Sequence, residues 1–157
     1  MLRYTICFVR FKDEILLLNR EKNPNMGMWN GVGGKIEPGE THLQSVIRET
    51  FEETGIKLIN PVFSGQVLWN SNRGNDGMYV YLADLSSISE KKVVLTTDEG
   101  IISWKKVDWI FDETNKGIVD NIKYYLPEML DGNLGNEHIF TYENGIILNY
   151  KKRMIRE

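Results

Sequence analysis

Cysteine, proline and histidine are scarce in this chain. One cysteine, four prolines and two histidines occur among 157 residues. A single thiol cannot close an intrachain disulfide, and one cysteine with two histidines cannot supply the four ligands of a structural zinc site. Cys7 lies in a strand-like run, which favours a small core residue over a nucleophile. The sequence therefore excludes a disulfide scaffold and a zinc module.

The chain also lacks a long apolar run and an excess of positive charge. No stretch approaches the roughly 20 apolar residues that cross a bilayer, and the apolar run Tyr4–Phe11 is interrupted too soon for a secretory signal. The formal net charge is −3, whereas stable nucleic-acid binding needs a positive surface. We expect a cytoplasmic protein with a small-molecule substrate and no membrane or stable nucleic-acid partner. The sequence leaves monomer and homodimer open.

Apolar residues are numerous enough for a folded core. With 41% apolar and 26% charged residues, the composition predicts one domain over residues 1–157. Loops are predicted over Glu21–Met28 and Asn70–Asp76, where Asn, Gly and Asp favour turns. The predicted strands are Arg3–Phe11, Glu14–Arg20, Val62–Trp69, Gly77–Ala83, Ile101–Val107, Ile139–Tyr142 and Ile146–Tyr150. Hairpins at both ends exclude a purely parallel sheet.

Two helices are predicted between these strands. The first spans Thr41–Thr54, where apolar residues recur at helical spacing, Thr41 and Gln44 form a capping box, and Gly55 marks the end. The second spans Ile118–Leu130. The mixed order of strands and helices predicts an α/β fold with a mixed β-sheet.

The first helix carries an acidic face. Glu49, Glu52 and Glu53 stand at i, i+3 and i+4, so their Cβ atoms are only about 5–6 Å apart and their charges repel. A hard divalent cation such as Mg²⁺ or Mn²⁺ would relieve this repulsion. The alternative is a solvated acidic stripe balanced by Arg48.

A glycine-rich segment, Gly31–Lys35, precedes this helix. Glycine lets the backbone approach a phosphate or a metal closely. The segment is not a Walker A loop, because Ile36 follows Lys35 where that motif has Ser or Thr. It is not a dinucleotide-binding fingerprint either, because a third glycine would be needed at Ile36.

Eight spaced residues in and after this segment form a recognisable pattern. They are Gly34, Glu40, Arg48, Glu49, Glu52, Glu53, Gly55 and Ile56. The pattern resembles the Nudix box and departs from it only at Thr50, where the family has an aliphatic residue. The resemblance implies an α/β/α sandwich with a mixed sheet. It also implies Mg²⁺-dependent hydrolysis, with Mn²⁺ as a substitute, of a nucleoside diphosphate linked to a further group.

The resemblance also implies roles for individual residues. The implied metal ligands are the carbonyl of Gly33 and the carboxylates of Glu49, Glu52, Glu53 and Glu99. Arg48 would support them together with Glu40. The general base would be a box glutamate such as Glu49 or an acid from a later loop. Glu99 is the candidate in that loop, and Asp98 is its substitute.

The stretch Met28–Lys35 resembles the matching part of MutT-type 8-oxo-dGTP diphosphatases, in which the asparagine contacts the base. Asn30 can pair with a purine edge, although it could equally be a turn residue. The other implied substrate contacts are Arg20, Gly33, Gly34, Lys35, Asp120 and Asn121. Asp120 or Asn121 could instead cap a helix.

The resemblance thus implies hydrolysis of purine nucleoside triphosphates, oxidised ones included, to the monophosphate and pyrophosphate. Another nucleoside triphosphate or a nucleotide sugar is the enzymatic alternative. A nucleotide-sensing domain that has lost the reaction is the non-catalytic one.

Overall fold

A mixed sheet forms the centre of the protein. A computed structural model describes residues 1–91 and 96–156. The strands are β1 (Tyr4–Phe11), β2 (Glu14–Arg20), β3 (Trp29–Asn30), β4 (Val32–Lys35), β5 (Val62–Ser71), β6 (Gly74–Asp84), β7 (Thr96–Thr97), β8 (Gly100–Lys106), β9 (Asn136–Glu143) and β10 (Ile146–Met154). The helices are α1 (His42–Thr54), α2 (Val107–Ile110) and α3 (Ile122–Leu130), with a 3₁₀ turn at Ile88–Lys91.

The strand order confirms the predicted mixed sheet. Along the sheet the strands follow the order β10, β9, β5, β6, β1, β2, β8 and β7. β1 is parallel to β6 and β5 is parallel to β9, whereas the other pairs are antiparallel. Among the described residues, no helix has the length and hydropathy of a membrane span.

β1 and β2 separate soon after the turn that joins them. They pair only where Val9–Phe11 faces Glu14–Leu16. Beyond that point, β4 pairs with β1 and β3 pairs with β2. The glycine-rich segment therefore enters the sheet between its first two strands. The sequence predicts no strand there, because glycine is depleted in strands.

The two faces of the sheet are covered by different helices. On one face Cys7 and Val9 of β1 pack in a cluster with Val46 of α1. On the other face Phe8 packs with a cluster that includes Tyr125 of α3. This layering is the expected α/β/α sandwich, and Cys7 is fully buried, as predicted for a core residue.

The first helix is confirmed with its predicted caps. The Gln44 amide donates to Oγ1 of Thr41 at 3.1 Å, and the Thr41 amide donates to Oε1 of Gln44 at 2.9 Å. Gly55 ends the helix in the left-handed region with φ of 78°. These contacts fix α1 beside the glycine-rich segment.

The predicted start of the second helix is wrong. α3 begins at Ile122 and not at Ile118, because the residues before it bind β3. The amide of Trp29 donates to the carbonyl of Gly117 at 2.7 Å, and the amide of Val119 donates to the carbonyl of Trp29 at 3.0 Å. These bonds keep the segment extended, so Asp120 and Asn121 precede the helix.

The predicted loop Asn70–Asp76 is also wrong. β5 and β6 continue through most of it, with Asn70 opposite Asn75 and Ser71 opposite Gly74. The turn is confined to residues 72 and 73. The remaining predicted strands occur within four residues of their expected bounds, and β10 extends to Met154.

We predict that Gly33→Ala destabilises the fold by about 1–3 kcal/mol. A Cβ at this position would overlap the carbonyl oxygen of Thr5 in β1, which is backbone and cannot move alone. Urea unfolding monitored by circular dichroism would measure the loss. Gly39→Ala is the control: a Cβ there meets nothing within 4 Å, and only its left-handed φ adds strain. Equal losses in both variants would contradict the predicted steric cause.

Candidate active site

Gly34 allows a carboxylate of α1 to lie directly against β4. A Cβ at position 34 would be 2.5–2.6 Å from the carboxyl atoms of Glu49, closer than carbon and oxygen can approach. Any other residue would push the Glu49 side chain away. The glycine-rich segment and the acidic helix face therefore form one site.

Glu53 is the most buried acid of this group. Its side chain is largely inaccessible, and no described residue provides a hydrogen-bond partner for Oε2. Burial, together with the negative charges of Glu49 and Glu99, raises the pKa of Glu53 to about 8, although a hydrogen bond from the Gly33 backbone opposes the shift. Burial also raises the pKa of Glu49, against the opposing effect of Arg48. Glu49 and Glu53 are thus the more buried acids of the site, whereas Glu52 and Glu99 are half-exposed.

Arg48 supports the acidic face from one side. Its Nε and Nη2 atoms donate to the two oxygens of Glu40 at 2.6 and 2.9 Å. Nη1 lies 3.0 Å from Glu49 and 3.2 Å from Glu52, and Nη2 also donates to the carbonyl of Lys35. The guanidinium thus ties helix, loop and β4 together.

Glu99 reaches the site from the turn between β7 and β8. Its carbonyl accepts from the Glu21 amide at 2.9 Å, and its carboxylate lies 3.8 Å from Nη1 of Arg20. The charge of Glu99 acts on both Glu49 and Glu53. Glu99, rather than Asp98, is the loop acid that the structure brings to the helix glutamates.

A cavity of about 590 Å³ opens beside the glycine segment. Its lining includes Arg3, Tyr4, Arg20, Asn30, Gly33, Gly34, Trp69, Arg73, Asp76 and Met78. Tyr4 and Trp69 form an aromatic wall with ring centroids 6.3 Å apart. Of the predicted substrate contacts, Arg20, Asn30, Gly33 and Gly34 line this cavity.

The other predicted substrate contacts lie elsewhere. Lys35 is exposed, and among the described residues neither it nor Asp120 nor Asn121 belongs to the cavity lining. Asp120 accepts from the hydroxyl of Tyr142 at 2.9 Å. Asn121 is buried, and its Oδ1 has no hydrogen-bond partner among the described residues. Neither side chain caps α3.

Several residues of the cavity lining are not predicted from the sequence as substrate contacts. Arg3 donates to Asp76 through Nε at 2.7 Å, and its guanidinium lies 5.5 Å from the Tyr4 ring centroid. Arg73 occupies the tip of the β5–β6 hairpin. Residues so far apart in the chain carry no local signal of proximity, and the sequence predicts a loop at the end of the hairpin, over Asn70–Asp76.

The acids have the ligand chemistry that a hard cation requires, but their side chains do not converge on one ion position in the described residues. In residues 1–91 and 96–156, no group of three His, Cys, Asp or Glu side chains is arranged around a common ion position, and Arg48 contacts Glu49 and Glu52 instead. The unpartnered Oε2 of Glu53 nevertheless lies in the field of Glu49 and Glu99. Oxygen donors of this kind are those that Mg²⁺ and Mn²⁺ prefer.

The chain matches known proteins over most of its length. The NUDIX domain model matches residues 1–126. YvcI of Bacillus subtilis, named as an uncharacterized Nudix hydrolase, is 32% identical over 148 residues, which cover 89% of this chain and 86% of the relative. The NAD-capped RNA hydrolase NudC of Haemophilus influenzae is 42% identical over 84 residues. That match covers 52% of this chain and only 31% of the relative.

A solved structure is similar over nearly the whole chain. The MutT protein of Bacillus halodurans superimposes with a TM-score of 0.81 at 27% identity, and the match covers 97% of both chains.

We predict that Glu40→Gln lowers the free energy of unfolding at neutral pH by about 1–2 kcal/mol. The hydrogen bonds from Arg48, aided by the Glu37 backbone, lower the pKa of Glu40 from 4.5 to about 2. Because the folded pKa is the lower one, this stabilisation is present above pH 4.5 and disappears as the pH falls towards 2. Urea unfolding at a series of pH values would show the two proteins converging in acid.

Glu37→Gln is the control, since Glu37 is 66% exposed and lies 3.7 Å from Arg48. It should change stability little at any pH. If the loss of unfolding free energy in Glu40→Gln stayed constant down to pH 3, the charged Glu40–Arg48 pair would not be its cause.

Proposed function

The chain belongs to the NUDIX domain family of hydrolases, and from this premise we propose that it hydrolyses purine nucleoside triphosphates in a Mg²⁺-dependent reaction. Oxidised nucleotides such as 8-oxo-dGTP are the proposed substrates, and the nucleoside monophosphate and pyrophosphate are the products. The proposal rests on one observation: a single cavity joins Asn30 to the glycine segment that packs against Glu49 and Glu53. A base at one end would place its phosphates beside the acids.

The metal ligands in this proposal are the carbonyl of Gly33 and the carboxylates of Glu49, Glu52, Glu53 and Glu99. When bound, Mg²⁺ neutralises phosphate oxygens and lowers the pKa of a coordinated water. Arg48 and Glu40 hold Glu49 and Glu52 in place. Arg20, which already faces Glu99, would contact a phosphate. Glu49 or Glu99 would accept the proton of the attacking water.

Asn30 is the amide that would read the base from the cavity. Oδ1 of Asn30 accepts from the Gly31 amide at 2.9 Å, which orients its side chain at the cavity wall. Asn121 has a buried Oδ1 that lacks a partner among the described residues, and it follows the segment bonded to β3. In the described part of the chain Asn121 lies outside the cavity lining, so its predicted contact with the base rests on the resemblance and on this unpartnered oxygen, since a buried acceptor without a partner is costly. Asp120 and Lys35 also belong to the predicted substrate contacts, but neither of them is among the described residues that line the cavity.

A second candidate is a nucleoside diphosphate derivative with a larger leaving group, such as a nucleotide sugar or a capped nucleotide. The cavity favours it in one respect: its lining continues past Trp69 to the hairpin tip at Arg73. A sensing domain without activity is the weaker alternative, since all acids of the box are present.

We predict that the protein with Mg²⁺ hydrolyses 8-oxo-dGTP faster than pyrimidine triphosphates or sugar-linked nucleotides, measured in each case as the nucleoside monophosphate formed. Glu53→Gln should reduce kcat by about 100-fold or more, since even residues that only support metal ligands change activity 10- to 100-fold. Glu143→Gln, at the exposed last residue of β9, is the control. Preference for a sugar-linked nucleotide would refute the substrate, and full activity of Glu53→Gln would refute the site.

We also predict that Asn30→Leu lowers the preference for purines, measured as a ratio of kcat/KM values, by about 10- to 100-fold. Leucine removes both the acceptor for the Gly31 amide and the donors for a base. Asn30→Asp keeps an acceptor for Gly31 and loses the donors. A normal preference in Asn30→Asp would show that Asn30 is a turn residue only.

A further inference from the structure

The side chain of Lys105, in β8, lies against two tryptophan rings, those of Trp29 and Trp109. Its ammonium nitrogen lies 4.6 Å from the ring centroid of Trp29 and 4.9 Å from that of Trp109. The two indoles meet edge to face, with centroids 6.5 Å apart and planes at 85°. Both distances are within the range of a cation–π interaction. The next residue, Lys106, instead pairs with Asp13 at 3.0 Å.

The backbone of Trp29 joins Asn30 to the segment that precedes α3, and both contain predicted base contacts. On one side β3 pairs with β2, with Leu18 opposite Asn30. On the other side the Trp29 amide donates to Gly117, and its carbonyl accepts from Val119. A shift of Trp29 would therefore move Asn30 and the segment that leads to Asn121.

The three aromatic and cationic groups come from three separate elements. Trp29 belongs to β3, Lys105 to β8 and Trp109 to α2. α2 follows β8 directly, and Lys105 links β3 with α2 through its contacts with the two indole rings. Its position is fixed by the strand, because Lys105 lies opposite Ile15 of β2 in the ladder. The ammonium thus holds Trp29 against a rigid part of the fold.

We propose that Lys105 is a positioning residue for substrate recognition, which acts through the Trp29 indole on the alignment of Asn30 with the segment before α3. The inference rests on the proposed function, in that Asn30 faces the base. Lys105 does not contact the reacting atoms. Loss of its charge should therefore weaken nucleotide binding and leave the chemical step almost unchanged.

The test is steady-state kinetics of Lys105→Met on whichever nucleotide the wild type hydrolyses fastest. Methionine keeps the apolar stem and removes the cation. The expected result is a KM raised about three- to tenfold, the size of one cation–π interaction, with kcat within about twofold of wild type. Lys105→Arg should restore KM, because a guanidinium also stacks on indole rings. Lys106→Met, the adjacent cation on the strand, should leave both constants unchanged.

A second variant keeps the test informative if Lys105→Met folds poorly. Trp109 is 38% exposed, so Trp109→Leu should fold, raise KM in the same way and show no additional effect when combined with Lys105→Met. An unchanged KM in Lys105→Met, no rescue by arginine, or an equal rise in Lys106→Met would overturn the proposal.

Failure of the proposed function can be distinguished from failure of the Lys105 proposal. If the wild type hydrolyses no nucleotide, that function is wrong, and tryptophan emission still tests the contact itself. A shift in Lys105→Met that is absent in Lys105→Arg would support the contact. Identical spectra for wild type and Lys105→Met would refute it.

Discussion

The backbone ladder between β1 and β4 is the contact on which the site depends. It holds the glycine-rich segment inside the sheet, where Gly33 lies across from Ile6 and Gly34 from Thr5. Helix α1 then packs over the same strand, and the absence of a side chain at Gly34 lets Glu49 touch it. The burial of Glu53 and the cavity beside β4 follow from that placement. The geometry of the acidic site and the stability of the sheet therefore depend on the same backbone ladder.

Local signals explain what the sequence predicts well. The ends of α1 depend on contacts between Thr41 and Gln44 and on the left-handed φ of Gly55, all within or next to one helix. Hairpin and strand periodicities also depend on neighbours in the chain. The prediction of a loop at Asn70–Asp76 failed because turn-forming residues also occupy strands when neighbouring strands extend a ladder past them. Here the pairing of β5 with β9 continues to Ser71.

The candidate site also combines local features, which the sequence predicts, with long-range contacts, which it does not. The spacing of Glu49 and Glu53 predicts a shared acidic face, since helical periodicity is local. Burial, the largest cause of their raised pKa values, is not predictable from that spacing, and neither is the charge of Glu99, a residue of a distant turn. The start of α3 was misplaced for a similar reason. Hydrogen bonds to Trp29 from a segment about 90 residues later outweigh the helical pattern at Ile118.

The cavity has two walls of different origin. One wall includes Gly33 and Gly34 of β4, which the ladder with β1 holds in the sheet and against which Glu49 packs. The other is the hairpin of β5 and β6, which ends in an exposed two-residue turn at residues 72 and 73. Turns of this kind tolerate insertions and exchange. Divergence among descendants of such a protein could therefore proceed by lengthening or replacing the hairpin, so that new substrates are acquired while the hydrolytic chemistry is inherited intact.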